Sequence, residues 1–187
     1  MLLNLFLQLH TVRSSAYEYV LFKAAFALAF FGALRIGELV SASRTAHGGL
    51  LEGDVELWGD EVRVWVRRSK TDQEGKGMRL SLFRVPDATI CPVRAVEHFC
   101  SVRPGLGGSF LVHQDGSALS RFQFLAVFRK CVVAAGYNPR EYATHSFRIG
   151  AATEAARAGL DAAAVKRIER WDSDRFRIYV RPQLLHE

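Results

Sequence analysis

Apolar positions recur along this chain in two rhythms, and the change from one to the other divides it. Leu2, Leu3, Phe6, Leu7 and Leu9 fit one side of a short helix. Ser14-Ser15 then offers a cap, and nearly every position from 17 to 31 is apolar, which predicts a helix buried on all sides and stopped at Gly32. A second short helix is predicted over 33–40, where Arg35 and Glu38 lie three apart and share a face.

Between 53 and 83 the period falls to two. Val55 and Leu57, then Val62, Val64 and Val66, alternate with polar residues on either side of Gly59-Asp60, a hairpin signal. A polar stretch over 70–77, opened by Lys70, predicts a second turn leading into Met78, Leu80 and Leu82. The expectation is a small antiparallel three-stranded sheet.

Helical spacing returns at Pro92 and runs through Val93, Val96, Phe99 and Cys100 to Pro104. A short extended piece over 109–112 and an Asp115-Gly116 turn precede Ser120, which is placed to cap a helix over 122–135 that stops at Gly136. After the Asn138-Pro139 loop, Thr144 is expected to cap a helix with His145 at its first position and Arg148 one turn on. Behind it, Gly150, Ala151, Ala152, Ala155 and Ala156 permit close backbone packing. A further helix is expected over 162–170, broken at 171–174, with Phe176, Tyr179 and Val180 resuming helical spacing. No repeat, low-complexity tract or linker interrupts the pattern. The fold class is therefore α+β, mostly helical, as a single domain over 1–187 with a small sheet near 53–83.

Composition adds bounds. A chain of 187 residues, 49% apolar, suits one domain with a substantial core. The formal charge of +6, from 25 Lys and Arg against 19 Asp and Glu, suits a nucleic-acid partner without requiring one. Three cysteines, Cys91, Cys100 and Cys131, show no zinc-type or CxxC spacing, which reads as a reduced, intracellular and metal-free chain. The apolar run over 24–34 is bracketed by Glu18, Lys23 and Arg35 and falls short of the ~20 residues of a membrane span. The first residues have neither a basic leader nor a cleavage site, so no signal peptide is expected.

Candidate chemistry gathers between 144 and 179. A helix N-terminus favours anions, and His145 and Arg148 would project beside one. On that pattern alone the pair also fits an ordinary capped helix with an exposed arginine and a partly buried histidine. Likewise Tyr179 alone fits an amphipathic core position. The ordered set is more specific. Arg35 in Ala-Leu-Arg-Ile-Gly-Glu-Leu, Lys70 in a turn between strands, His145-x-x-Arg148, Trp171 and Tyr179 together resemble the catalytic set of the tyrosine recombinase (phage integrase) family, along nearly the whole chain.

The resemblance implies roles for each residue. Arg35 and Arg148 would grip the scissile phosphate and neutralise the charge of its transition state. His145 would donate a hydrogen bond to that phosphate or act as general base for the tyrosine. Lys70 would protonate the departing 5′ oxygen. Trp171 stands where most members have a second histidine, and its indole N–H would donate to the phosphate. Tyr179 would attack phosphorus to form a 3′-phosphotyrosine, an exchange that needs no metal, cofactor or ATP. Glu38 would orient a basic partner.

The Arg-Trp-Asp-Ser-Asp stretch and the short interval to Tyr179 look like the Crypton and DIRS-like recombinases of eukaryotic mobile elements. The implied partners are double-stranded DNA and further copies of the chain, as a tetramer on two DNA sites, with no membrane. The implied location is intracellular, and nuclear in a eukaryote. The family's usual N-terminal core-binding domain is expected to be absent from this chain, and so is its C-terminal docking tail. A non-catalytic DNA-binding remnant and a type IB topoisomerase-like activity are the alternative functions.

Overall fold

The computed structural model describes residues 2–46, 48–67, 77–105, 107–161 and 163. Helix α1 (Leu2–Val12) and helix α2 (Ala16–Phe31) come first, joined by a short turn. Ser15 caps α2 by accepting the Glu18 N–H at 3.1 Å. Because α2 is apolar all round it forms the central rod, buried from Val20 to Phe22 and again from Ala24 to Phe30.

Helix α1 corrects one expectation. Its inward face is Leu2, Leu5, Phe6 and Leu9, packed on α2 and on helix α5 (Arg121–Ala134). Leu3 and Leu7 lie a third of a turn away and face outward, because the buried arc is centred on Leu9 and takes in Leu5, which leaves them beyond its edge.

A four-residue helix α3 (Ile36–Leu39) follows, shorter than the predicted 33–40. The sheet then forms as expected, with β1 (Val55–Trp58), β2 (Glu61–Val66) and β3 (Met78–Phe83) antiparallel in the order β1-β2-β3. Val64 pairs with Val55 and with Leu80, and Val62 with Leu57 and Leu82. This register turns Val62, Val64 and Val66 inward, toward helix α4 (Pro92–Val102), and leaves Arg63 and Trp65 on the outer face. Gly59 sits in the hairpin turn at φ +57°, a conformation glycine adopts without strain.

Helix α5 begins with a reciprocal cap. Ser120 Oγ accepts the Gln123 N–H, and Gln123 Oε1 accepts the Ser120 N–H at 3.1 Å. The strand-like contact between Ser41 and Ser120 ties the exit from α3 to the start of α5. Finally helix α6 (Ser146–Arg157) closes onto α2. Phe147 lies with its ring centroid 5.2 Å from Phe26, 5.5 Å from Phe124 and 4.9 Å from Phe128, so one aromatic cluster locks α2, α5 and α6 together. The residue after that anchor is Arg148.

His113 ties the 112–118 hairpin to the first turn of α2, with Nδ1 2.8 Å from Glu18 Oε1. The hydrogen bond that the Glu18 carboxylate accepts from the ring raises the His113 pKa, against the opposing effect of burial. A folded-state pKa raised above the unfolded one stabilises the fold below the ordinary histidine value of about 6.5. That contribution is lost as pH rises through the folded value. Thermal melts of the wild-type chain between about pH 5 and 9 are expected to show this loss, and Glu18→Gln is expected to flatten it.

Candidate active site

The site grows out of the end of α2. Two backbone hydrogen bonds finish this helix, from Ala33 N–H to the Phe30 carbonyl and from Leu34 N–H to the Ala29 carbonyl, both at 3.1 Å. This is the pattern of a helix terminated by one left-handed residue. That residue is Ala33, at φ +44°, and Gly32 before it stays right-handed at φ −86°. Gly32 is needed for a different reason: a Cβ there would lie 2.8 Å from the Leu28 carbonyl oxygen.

Past this bend the backbone is extended at Arg35, which enters α3 rather than lying inside a helix. Glu38, with a side chain only 5% exposed, accepts the Arg35 N–H at 2.9 Å and Arg35 Nη1 at 3.0 Å. One carboxylate thereby fixes both the backbone and the guanidinium of Arg35, whose side chain stays 23% exposed.

Arg148 arrives from the other end of the chain. It is 2% exposed, and its Nη1 donates to the Ala33 carbonyl at 3.0 Å across 115 residues of sequence. Arg148 therefore meets the bend that ends α2 two residues before Arg35 in sequence. His145 directly precedes α6 instead of occupying its first turn, and it is exposed. Ser146 Oγ, not Thr144, makes a local hydrogen bond there, accepting the Ala143 N–H at 2.9 Å. The ordinary capped-helix alternative, with an exposed arginine and a partly buried histidine, is not what the chain adopts: Arg148 is buried and His145 is exposed. Phe147, seated among Phe26, Phe124 and Phe128, fixes the orientation of α6 and with it that of the adjacent Arg148.

Arg35, Glu38, His145 and Arg148 fall on neighbouring parts of the fold. Lys70, Trp171 and Tyr179 lie outside the described residues. Sequence reasoning missed Ala33, because alanine carries no signal for a left-handed conformation. It also missed Arg103, whose side chain is 6% exposed and held by Glu52 and the Phe110 carbonyl. Arg103 is a structural brace for the 109–110 segment. Among the described residues no group of His, Cys, Asp and Glu side chains is arranged to hold a metal ion, and no helix is long and apolar enough to cross a membrane.

Comparison with known proteins bears on this arrangement. No family model matches the chain. The XerH site-specific recombinase, solved with its difH substrate before cleavage, superposes with a TM-score of 0.72 at 17% identity, over 96% of this chain and 48% of XerH. The fold is that of a tyrosine recombinase catalytic domain. The integrase of the Tn1549 transposon, solved with circular-intermediate DNA, shares it at a TM-score of 0.58 and 18% identity, over 92% of this chain and 57% of that one. In sequence, the chain is similar to an integrase/recombinase xerD homolog of Selenomonas ruminantium, 29% identical over 159 residues. That match covers 82% of this chain and 44% of the relative, so the chain spans about half the length of this relative and of XerH. This likeness supports a place among the tyrosine recombinases.

Two substitutions test the junction. Ala33→Gly is expected to stabilise the protein by about 1 kcal/mol, by removing the cost of a left-handed alanine. Arg148→Ala is expected to destabilise it by about 2–4 kcal/mol, since it opens a cavity and leaves a buried carbonyl short of a donor. Urea denaturation of both variants checks both signs.

Proposed function

We propose that this chain is the DNA breaking-and-rejoining domain of a site-specific tyrosine recombinase. The observation that supports the reading is the buried Arg148–Ala33 hydrogen bond, which ties Arg148 to the bend from which the Arg35–Glu38 pair follows. Two guanidinium groups so placed suit a phosphodiester, whose non-bridging oxygens each accept a charge-assisted hydrogen bond.

In this reading Arg35 and Arg148 neutralise the charge that grows on the scissile phosphate. Glu38 holds Arg35 so that little reorganisation is needed when DNA binds. His145, exposed beside α6, serves as donor to the phosphate or as base for the nucleophile. Tyr179 attacks phosphorus, Lys70 gives a proton to the leaving 5′ oxygen, and Trp171 donates its indole N–H. The bond broken is P–O5′ and the bond formed joins phosphorus to the tyrosine oxygen. The phosphotyrosine conserves the energy of the ester, so religation runs the same steps in reverse. Because Arg148 is buried, DNA binding must open access to its guanidinium.

The rest of the reading concerns partners. Helix α5 presents exposed Arg121, Arg129 and Lys130 with a strongly exposed Phe122, a face suited to the DNA backbone and groove. Strand exchange would need further copies, as a tetramer on two DNA sites. The Trp171-to-Tyr179 interval suggests the Crypton and DIRS-like mobile-element recombinases as the nearest subgroup, with a nuclear location in a eukaryote.

A nicked suicide duplex is expected to trap a covalent protein–DNA adduct that Tyr179→Phe abolishes and Arg35→Ala reduces at least about a hundredfold. Salt-dependent binding without any adduct, from a folded sample, would mark the chain as a DNA-binding remnant instead. Arg129→Ala with Lys130→Ala is expected to make the dependence of log affinity on log salt shallower by about two, as read by fluorescence anisotropy at several salt concentrations.

A further inference from the structure

A second feature, at the opposite end of α2, has no part in that chemistry. At the turn between α1 and α2, His10 stacks on Tyr19 with ring centroids 4.1 Å apart, and Arg13 and Lys23 each lie 5.8 Å from the same ring. Among the described residues none of these three basic side chains is held in an ion pair. Burial lowers the pKa of Lys23, so its charge is only partly solvated. The Asp87 carboxylate acts on Lys23 from nearby and Arg94 opposes it, so the cluster as a whole keeps a net positive charge, which favours an anionic partner.

The cluster does not stand alone. Leu3 and Leu7, 40% and 51% exposed, lie on the outer side of α1, and helical spacing brings His10 into line with them. The result is an apolar stripe about 10 Å long that runs into a basic, aromatic end. Tyr19 lies fourteen residues before Ala33 on one helix, roughly 20 Å away along its axis. Since α2 runs through the core, a duplex seated on the two arginines at one end does not readily reach the cluster at the other.

We propose that the outer face of α1 docks an amphipathic helix from an acidic partner, antiparallel to α1, with leucine-type residues on Leu3 and Leu7 and carboxylates of its first turn on His10, Arg13 and Lys23. Charge complementarity selects the partner, and the helix dipole selects the direction. Carboxylates are most favourable in the first turn of a helix, and antiparallel docking brings that turn to the C-terminal end of α1, where the cluster lies. The apolar contacts supply affinity and the ion pairs supply orientation.

The probe is a synthetic helical peptide of about four turns, with three glutamates in its first turn and leucines at i, i+4 and i+7 after them. A second peptide carries the same residues with the glutamates moved to its last turn. With the full chain, the first peptide is expected to bind roughly tenfold more tightly than the second, and more weakly as salt rises. Arg13→Glu with Lys23→Glu is expected to remove that preference, and Leu7→Lys to weaken both peptides. None of these positions belongs to the proposed active site, so adduct formation by the variants serves as a check that they are folded. Absence of binding by the first peptide overturns the proposal, and so does equal binding of the two peptides. If duplex DNA displaces the peptide, and the Arg13 and Lys23 changes flatten the salt dependence of DNA binding, the cluster contacts the DNA backbone and the proposal fails.

Discussion

A hydrogen bond from a buried guanidinium to a main-chain carbonyl joins α6 to the end of α2, on top of the aromatic packing between them. Arg148 reaches the Ala33 carbonyl because Phe147 is seated among Phe26, Phe124 and Phe128. The carbonyl is available because α2 has just ended and its last oxygens have no helical donors. Packing, helix termination and the candidate chemistry therefore meet at the same atoms.

Much of this was legible in the sequence, and the reasons differ by element. The sheet could be read because valines alternate through 62–66 and Gly59-Asp60 marks the turn, and both signals are local. The course of α2 was equally plain from its unbroken apolar composition. Its end was harder to place. Gly32 looks like the left-handed terminator, yet the chain assigns that conformation to Ala33 and keeps Gly32 for close approach to the Leu28 carbonyl. In α1 an excess of leucines concealed which ones face inward, and only packing on α2 and α5 separates Leu5 from Leu3 and Leu7.

The candidate site was legible in its residue types and less so in its exposures. Arg35 and Glu38 meet as their spacing suggests. Arg148 and His145 have the opposite exposures to those of an ordinary capped helix. No composition rule carries that information. It comes from Phe147, whose burial is set by three aromatic residues on two other helices.

The burial of Arg148 changes what its presence in a sequence means. A side chain that supports the fold is retained whether or not DNA is ever cut, so a lineage that had lost strand exchange would still be selected to keep it. His145 is under no such constraint, since it is exposed and makes no capping hydrogen bond. In related chains, survival of the arginine therefore reports on the integrity of the domain. Survival of the histidine beside it bears instead on the proposed chemistry.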